Sequence, residues 1–184
     1  MAKTKKGWDL LFEDLKIIKT TYKKFGVRWC LCWGSLLGAI REGDFISGSD
    51  DDIDLMILPP TTTELYYETM ESFEKKGGFF PYQVKSNPSK MRKRNIGVVE
   101  IVRIGPSKNG HPDYYYFKHF PMHKRFFEEL KTAKIRDLEC PIPNYAEEFL
   151  EICYGDTWKI KNLKLHLPHA TFLRRLLAKK AQGL

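Results

Sequence analysis

Residues 34–55 read GSLLGAIREGDFISGSDDDIDL, and the end of that stretch constrains the fold more than any other part of the chain. Asp50, Asp51, Asp52 and Asp54 crowd together and run directly into the apolar segment Leu55-Met56-Ile57-Leu58. Aspartate is depleted in strands, and clustered like charges repel. A fold that tolerates both needs a positive charge at that place, and a divalent metal bound to phosphate is the natural candidate. The cluster is the more conspicuous because the whole chain carries a formal net charge of +8.

Side chains alternate along a strand, so Asp52 and Asp54 share one face, about 7 Å apart. Ile53, Leu55 and Ile57 then point to the other face and enter the core. Two carboxylates on one face of a rigid strand suit a pair of Mg²⁺ (or Mn²⁺) ions about 4 Å apart. A third carboxylate is expected on a neighbouring strand. Glu100 is the only acid in the run Ile96-Gly97-Val98-Val99-Glu100-Ile101-Val102, where it would otherwise be buried without a partner. It is read as the third ligand or as general base, with a salt bridge to Arg103 as the structural alternative. Gly34-Ser35 follows one apolar strand and opens a short helix. Its backbone N–H groups and the Ser35 hydroxyl can hold a phosphate, and Gly34 lets the backbone approach closely. Arg41 closes that helix and is read as a phosphate clamp, against the alternative of a structural ion pair. Lys90, Arg92, Lys93 and Arg94 form either an electrostatic funnel or a solvated hairpin tip.

Other chemistries lose support. Asp50, Asp52 and Asp54 match the first ligand positions of an EF-hand loop, but Leu55 replaces the required glycine and Thr61 the bidentate glutamate. No Walker A, HExxH or GxGxxG motif is present. Cys30, Cys32, Cys140 and Cys153 show no zinc spacing and read as reduced core thiols. The five histidines show no ligand spacing. The Tyr114–Phe117 run reads as core or sheet edge rather than a stacking platform.

The wider pattern places these residues in an α/β or α+β domain around a small mixed sheet. Trp8, Leu11, Phe12, Leu15, Ile18, Tyr22 and Phe25 recur at helical spacing, and Gly26 follows as a C-cap, giving a helix over 8–25. An apolar strand follows at Val27–Trp33, a short helix at 35–41, a loop at 42–51 and a strand at Asp52–Leu58 stopped by Pro59-Pro60. Thr61 and Glu64 fit a capping box for a helix over 62–76. Strands are expected at 79–86 and 96–104, with residues 90–94 as the tip between them. Helices are expected at 121–131 and 145–154, the second closed by Gly155. Residues 161–184 form a basic C-terminal segment of the same single domain, 1–184.

With 184 residues the chain can bury one real core. A hydrophobic content of 42% excludes a disordered chain. No apolar run is long enough to span a bilayer, no signal peptide is evident, and cytosol is the expected compartment. A pI near 9.2 points to an anionic partner without choosing among nucleotide, nucleic acid, anionic lipid surface and phosphorylated glycan.

The residues just described resemble a known signature. Gly-Ser followed by Asp-Ile-Asp-Leu is similar to the DNA polymerase β-like nucleotidyltransferase superfamily. The fuller string GSLLGAIREGDFI…DDDIDL resembles the LicD family, which includes bacterial phosphocholine transferases and fukutin-related proteins. Ile142-Pro143-Asn144-Tyr145…Tyr154-Gly155-Asp156-Thr157-Trp158 looks like that family's C-terminal element, so the resemblance spans roughly residues 10–160. The chain departs from the pattern at Gly48-Ser49, where the family carries Pro-Trp, and at Glu42, where it frequently carries His. Both positions line the approach to the site and bear on the choice of substrate.

The resemblance implies a nucleotidyltransferase-like fold and a metal-dependent transfer of a phospho-alcohol, such as phosphocholine or a polyol phosphate. The donor is a CDP-activated alcohol, the acceptor a glycan or lipid-linked glycan hydroxyl, and CMP is released. Asp52, Asp54 and Glu100 would be the catalytic and metal-binding set, and Gly34, Ser35, Arg41, Arg92 and Arg94 the phosphate-binding set. Transfer of a nucleotide monophosphate from an NTP with release of pyrophosphate is the alternative, and a non-catalytic binding module the third. Nucleic acid is not expected as a partner. The tail around Phe172–Leu177 suits peripheral contact with a membrane surface, or packing as a terminal helix.

Overall fold

The structure, a computed structural model, describes residues 5–46, 52–77, 79–81, 90–93, 97–106, 110–117 and 120–161. The basic segment 162–184, Arg94, Asp50 and Asp51 lie outside them. The first helix, α1 (Lys5–Phe25), begins three residues earlier than its apolar periodicity suggests. Leu11, Leu15, Ile18 and Tyr22 are fully buried along one stripe, the i, i+4, i+7, i+11 spacing of a core-facing helix. Gly26 takes φ +68 and Val27 N–H donates to the Tyr22 carbonyl at 2.9 Å, which ends the helix in a left-handed cap.

A five-stranded mixed sheet in the order β1-β2-β5-β4-β3 forms the centre. Its strands are β1 (Trp29–Leu31), β2 (Asp52–Ile57), β3 (Phe79–Pro81), β4 (Lys90–Lys93) and β5 (Gly97–Arg103). β2 pairs antiparallel with β1 and parallel with β5. β5 pairs antiparallel with β4, and β4 with β3. The stretch expected as a hairpin tip at 90–94 is therefore a paired strand over 90–93, in the sheet rather than at its turn. Basic residues are poor strand formers, so propensity pointed to a turn; the backbone ladder to β5 overrides it.

α1 packs on β2, β5 and the helix α3 (Thr63–Ser72). Thr62 rather than Thr61 is the N-cap of α3, its hydroxyl accepting from Leu65 N–H at 3.2 Å. Thr61 instead accepts the Arg28 N–H at 3.2 Å. A π-helical turn, Phe73–Gly77, continues α3. The helix α2 (Trp33–Arg41) packs on β2. Its first turn takes over Trp33, which the apolar pattern places in the preceding strand.

The C-terminal half differs most from expectation. β6 (Tyr114–Phe117) and β7 (Phe120–His123) form one hairpin. A single helical turn, α4 (Arg125–Glu128), follows, then a second hairpin of β8 (Lys131–Ile135) and β9 (Leu138–Ile142). The helix expected at 121–131 is thus two strand ends around one turn. Its apolar residues Met122, Phe126 and Phe127 are buried, but over so short a run their spacing does not distinguish the two forms. The helix α5 (Ala146–Tyr154) ends at Gly155, φ +88, and a 3₁₀ turn covers Asp156–Lys159. α5 and β8 pack on α2, and β9 lies against β1. All four cysteines are buried free thiols. Among the described residues no helix is long and apolar enough to cross a membrane.

Candidate active site

The acidic edge of the sheet is built where β2 begins. Asp52 is half-buried, and Asp54, two residues further in, is only 7% exposed. A carboxylate at that depth needs hydrogen-bond donors. The Gly34 N–H donates to Asp54 Oδ2 at 2.9 Å. The Asp54 backbone N–H donates to Ser35 Oγ at 2.9 Å, and Cys32 N–H donates to the Asp54 carbonyl at 3.2 Å. Three bonds thus stitch one residue of β2 to the first turn of α2.

This arrangement gives α2 its N-cap from another element. Cys32, the residue at the N-cap position, makes no side-chain capping bond, and the Asp54 carboxylate supplies one. An anion at a helix N-terminus is favoured by the unpaired N–H groups and the helix dipole. Gly34 and Ser35, expected to hold a phosphate, are here the groups that hold Asp54. Ser35 is fully buried, consistent with that placement. Trp33, immediately before them, takes φ +41, a left-handed conformation that is rare for an aromatic residue. It aims the Gly34 amide at Asp54.

The register of β2 and β5 sets Glu100 beside Asp54, and that of β5 and β4 sets Lys90 beside Glu100. One row across three strands therefore reads Asp54, Glu100, Lys90. Arg92 pairs in register with Val98, two residues along, in the row that Asp52 begins. The side chains of Glu100, Lys90 and Arg92 lie outside the described residues. Among the described residues no three His, Cys, Asp or Glu side chains form a metal-holding group. Arg103, the alternative partner for Glu100, donates from Nη2 to Thr63 Oγ1 at 3.2 Å and lies over the Tyr66 ring at 4.7 Å, on the side covered by α3.

Arg41 is engaged elsewhere in the chain. Its side chain is 5% exposed, its Nε donates to Glu42 Oε1 at 2.7 Å, and its Nη1 donates to the Trp158 and Ile160 carbonyls at 3.1 and 3.3 Å. It ties the end of α2 to the 3₁₀ turn after α5. Lys161 completes the group, 3.3 Å from the second Glu42 oxygen.

The sequence reading assigned no role to three residues that frame the site. Gly38 lies in mid-helix, and a Cβ there would stand 2.5 Å from the Asp44 carbonyl oxygen and 3.3 Å from Ile46 N. The chain after α2 thus folds back onto the helix itself. Asp44 and Arg136 hold that return from outside: Arg136 Nε lies 3.0 Å from both Asp44 carboxylate oxygens. The signal for Gly38 was present, since an interior glycine in a helix costs about 1 kcal/mol against alanine and calls for a packing reason. Arg136 and Asp44 are far apart in sequence and gave none.

The acid pair fits a hard divalent cation: a buried carboxylate on a rigid strand, a second two residues away, and a glutamate position in the adjoining register are oxygen donors of the kind Mg²⁺ and Mn²⁺ take. Residues 26–145 match the family model described as LicD/FKTN/FKRP, nucleotidyltransferase domain. No curated protein matches the chain. Among solved structures, the chain resembles the lincosamide antibiotic adenylyltransferase LnuA, lincomycin-bound, with a TM-score of 0.52 and 14% identity over 97% of this chain and 99% of that one. It resembles ANT(2")-Ia in complex with adenylyl-2"-tobramycin with a TM-score of 0.52 and 13% identity, over 92% of this chain and 89% of that one. Those likenesses agree with the α+β nucleotidyltransferase-like fold. The chain belongs to the LicD/FKTN/FKRP family of nucleotidyltransferase domains and is a transferase enzyme of that superfamily.

Proposed function

We propose that this enzyme transfers a phospho-alcohol from a CDP-activated donor to a glycan hydroxyl and releases CMP. The observation that carries the reading is the fixing of Asp54 by Gly34 and Ser35 at the head of α2, with Asp52 two residues away and Glu100 in the adjoining register. Asp52, Asp54 and Glu100 would hold a divalent cation, which when bound supplies charge neutralisation for the diphosphate. The acceptor oxygen attacks the phosphorus next to the alcohol, the bond from that phosphorus to the oxygen of CMP breaks, and CMP leaves as the anion. Glu100 either takes the acceptor's proton or completes the metal set. The chain contributes mainly position and electrostatics, as phosphoryl-type transfers require. Arg92 and Arg94 would add positive potential along the approach. Arg41 enters as a tie between α2 and the C-terminal turn.

Asp54→Asn tests this directly. Asparagine keeps an oxygen acceptor for the Gly34 N–H but removes the charge, so the protein should fold with unchanged or slightly raised stability and lose turnover at least a hundredfold, as judged by CMP release from a panel of CDP-alcohols. Wild-type turnover in this variant removes the metal assignment. Release of pyrophosphate from an NTP, in place of CMP, would assign nucleotidyl transfer instead.

A further inference from the structure

Arg136 stands at the tip of the β8–β9 hairpin, far in sequence from the acidic run, yet it is bound into the frame of the site. Its backbone is left-handed, φ +57, a conformation that persists for a bulky residue only where the surroundings over-determine it. Those surroundings are specific. Its N–H donates to the Gly43 carbonyl at 2.7 Å. Its Nε lies 3.0 Å from each Asp44 oxygen, and its Nη1 donates to Asp9 Oδ1 of α1 at 2.7 Å. The guanidinium also lies over the Phe12 ring at 5.1 Å. The side chain is 25% exposed and that of Asp44 34%, so the pair with Asp44 is partly shielded from water, whereas Asp9, 57% exposed, is the solvent-facing partner.

The held segment, 43–46, is pressed onto α2 from the other side. Asp44 O, Phe45 Cα and Ile46 N all crowd Gly38, and Phe45 is buried at 2% exposure. Four residues up the same helix, Gly34 N–H holds the Asp54 carboxylate. A shift of the 43–46 segment therefore loads α2, and α2 sets Asp54. We infer that Arg136 is a positioning residue for the acidic site, acting through Asp44 and α2 rather than by touching substrate. The inference rests on the reading of Asp52 and Asp54 as a cation-holding pair.

The test measures Mn²⁺ binding to the full chain in the presence of CDP, by loss of the free-ion paramagnetic resonance signal, which needs no turnover. Arg136→Gln and Asp44→Asn should each weaken binding severalfold, up to roughly tenfold, the low end of what losing a group bonded directly to a metal ligand costs. The double variant should be no weaker than the worse single one, because both cut the same link. Arg136→Lys keeps the charge without the fork and should fall between wild type and Arg136→Gln. Wild-type Mn²⁺ affinity in a folded Arg136→Gln protein overturns the inference while leaving the proposed function standing. Undiminished binding by Asp54→Asn overturns the reading beneath it. If Arg136→Gln does not fold, Asp44→Asn decides alone, and failure of both to fold makes the link one of global stability and withdraws the inference.

Discussion

Trp33 is left-handed at φ +41, and the next residue's N–H reaches Asp54. A conformation of this kind costs about 1–2 kcal/mol for an L-residue, and here it coincides with the turn that carries the site. Tyr22 shows the opposite economy. It is fully buried between Trp29 and Phe73, with ring centroids at 5.6 and 5.5 Å, and its hydroxyl has no hydrogen-bond partner among the described residues. An unsatisfied buried hydroxyl costs about 1–3 kcal/mol, so Tyr22→Phe should be neutral or stabilising by about 1 kcal/mol. The urea midpoint of the variant checks this, and a clear loss of stability would reveal a partner for the hydroxyl. Gly38 carries a steric argument: Gly38→Ala places a methyl 2.5 Å from a backbone oxygen, which cannot swing aside as a side-chain tip could. Overpacking of this kind costs about 1–3 kcal/mol, outweighing alanine's helix preference of about 1 kcal/mol. Thermal denaturation should show the loss, and turnover should fall further than stability, because the displaced segment is the one Arg136 braces.

Among the elements, α2 and β2 work as one unit. β2 is buried on both faces, with Ile53, Met56 and Asp54 all covered, so its alternation is visible in the sequence but not in its burial. The alternation nonetheless assigned Asp52 and Asp54 to one face, because period two is a property of the strand backbone itself. The C-terminal ends of α1 and α5 were legible for the same kind of local reason, glycines at Gly26 and Gly155 where φ is positive, and the end of β2 from the prolines that follow it, Pro59 and Pro60. The β8–β9 hairpin was not legible. Its turn is Arg136-Asp137, without the Asn-Gly or Asp-Gly signal that marks a two-residue hairpin, and the bonds that hold Arg136 in its conformation come from Asp44 and Asp9, each more than 90 positions away. Asp54→Ala belongs to this scale. It removes both the charge and the cap that α2 receives from β2, and should cost about 1–2 kcal/mol where Asp54→Asn leaves stability unchanged or slightly raised; chemical denaturation of the pair separates the capping role from the charge.

For the whole molecule, burial of thiols and phenols sets the response to alkaline pH. Desolvation raises Cys140 from its ordinary 9.0 to about 11, against the opposing pull of Lys19. Desolvation likewise raises Tyr66 from 10.0 to about 12, against Arg103. Cys30 and Cys153 are pushed up further by burial alone or nearly so. A group whose ionisation is raised on folding contributes stability in full below its unfolded value, and that contribution disappears as pH climbs through the folded one. The free energy of unfolding should therefore decline from about pH 9 upward and keep declining through pH 12, each unit of displacement being worth about 1.4 kcal/mol. Denaturation series across that range check the slope. Below pH 8.5 the native protein should leave all four thiols unmodified by a thiol reagent, while the unfolded chain exposes them.

Local rules acting over a few residues let the sequence by itself determine the acid pair at Asp52 and Asp54, the apolar stripe of α1, the glycine caps and the family signature that joins Gly34-Ser35 to the aspartates. Only the tertiary structure decided that Gly34 and Ser35 grip Asp54, that Arg41 turns to the Trp158 and Ile160 carbonyls, that 90–93 is a strand of the sheet, and that Arg136 braces the segment after α2. Each of these is a contact between groups distant along the chain, and its energy exists only once the backbone has brought them within hydrogen-bonding reach.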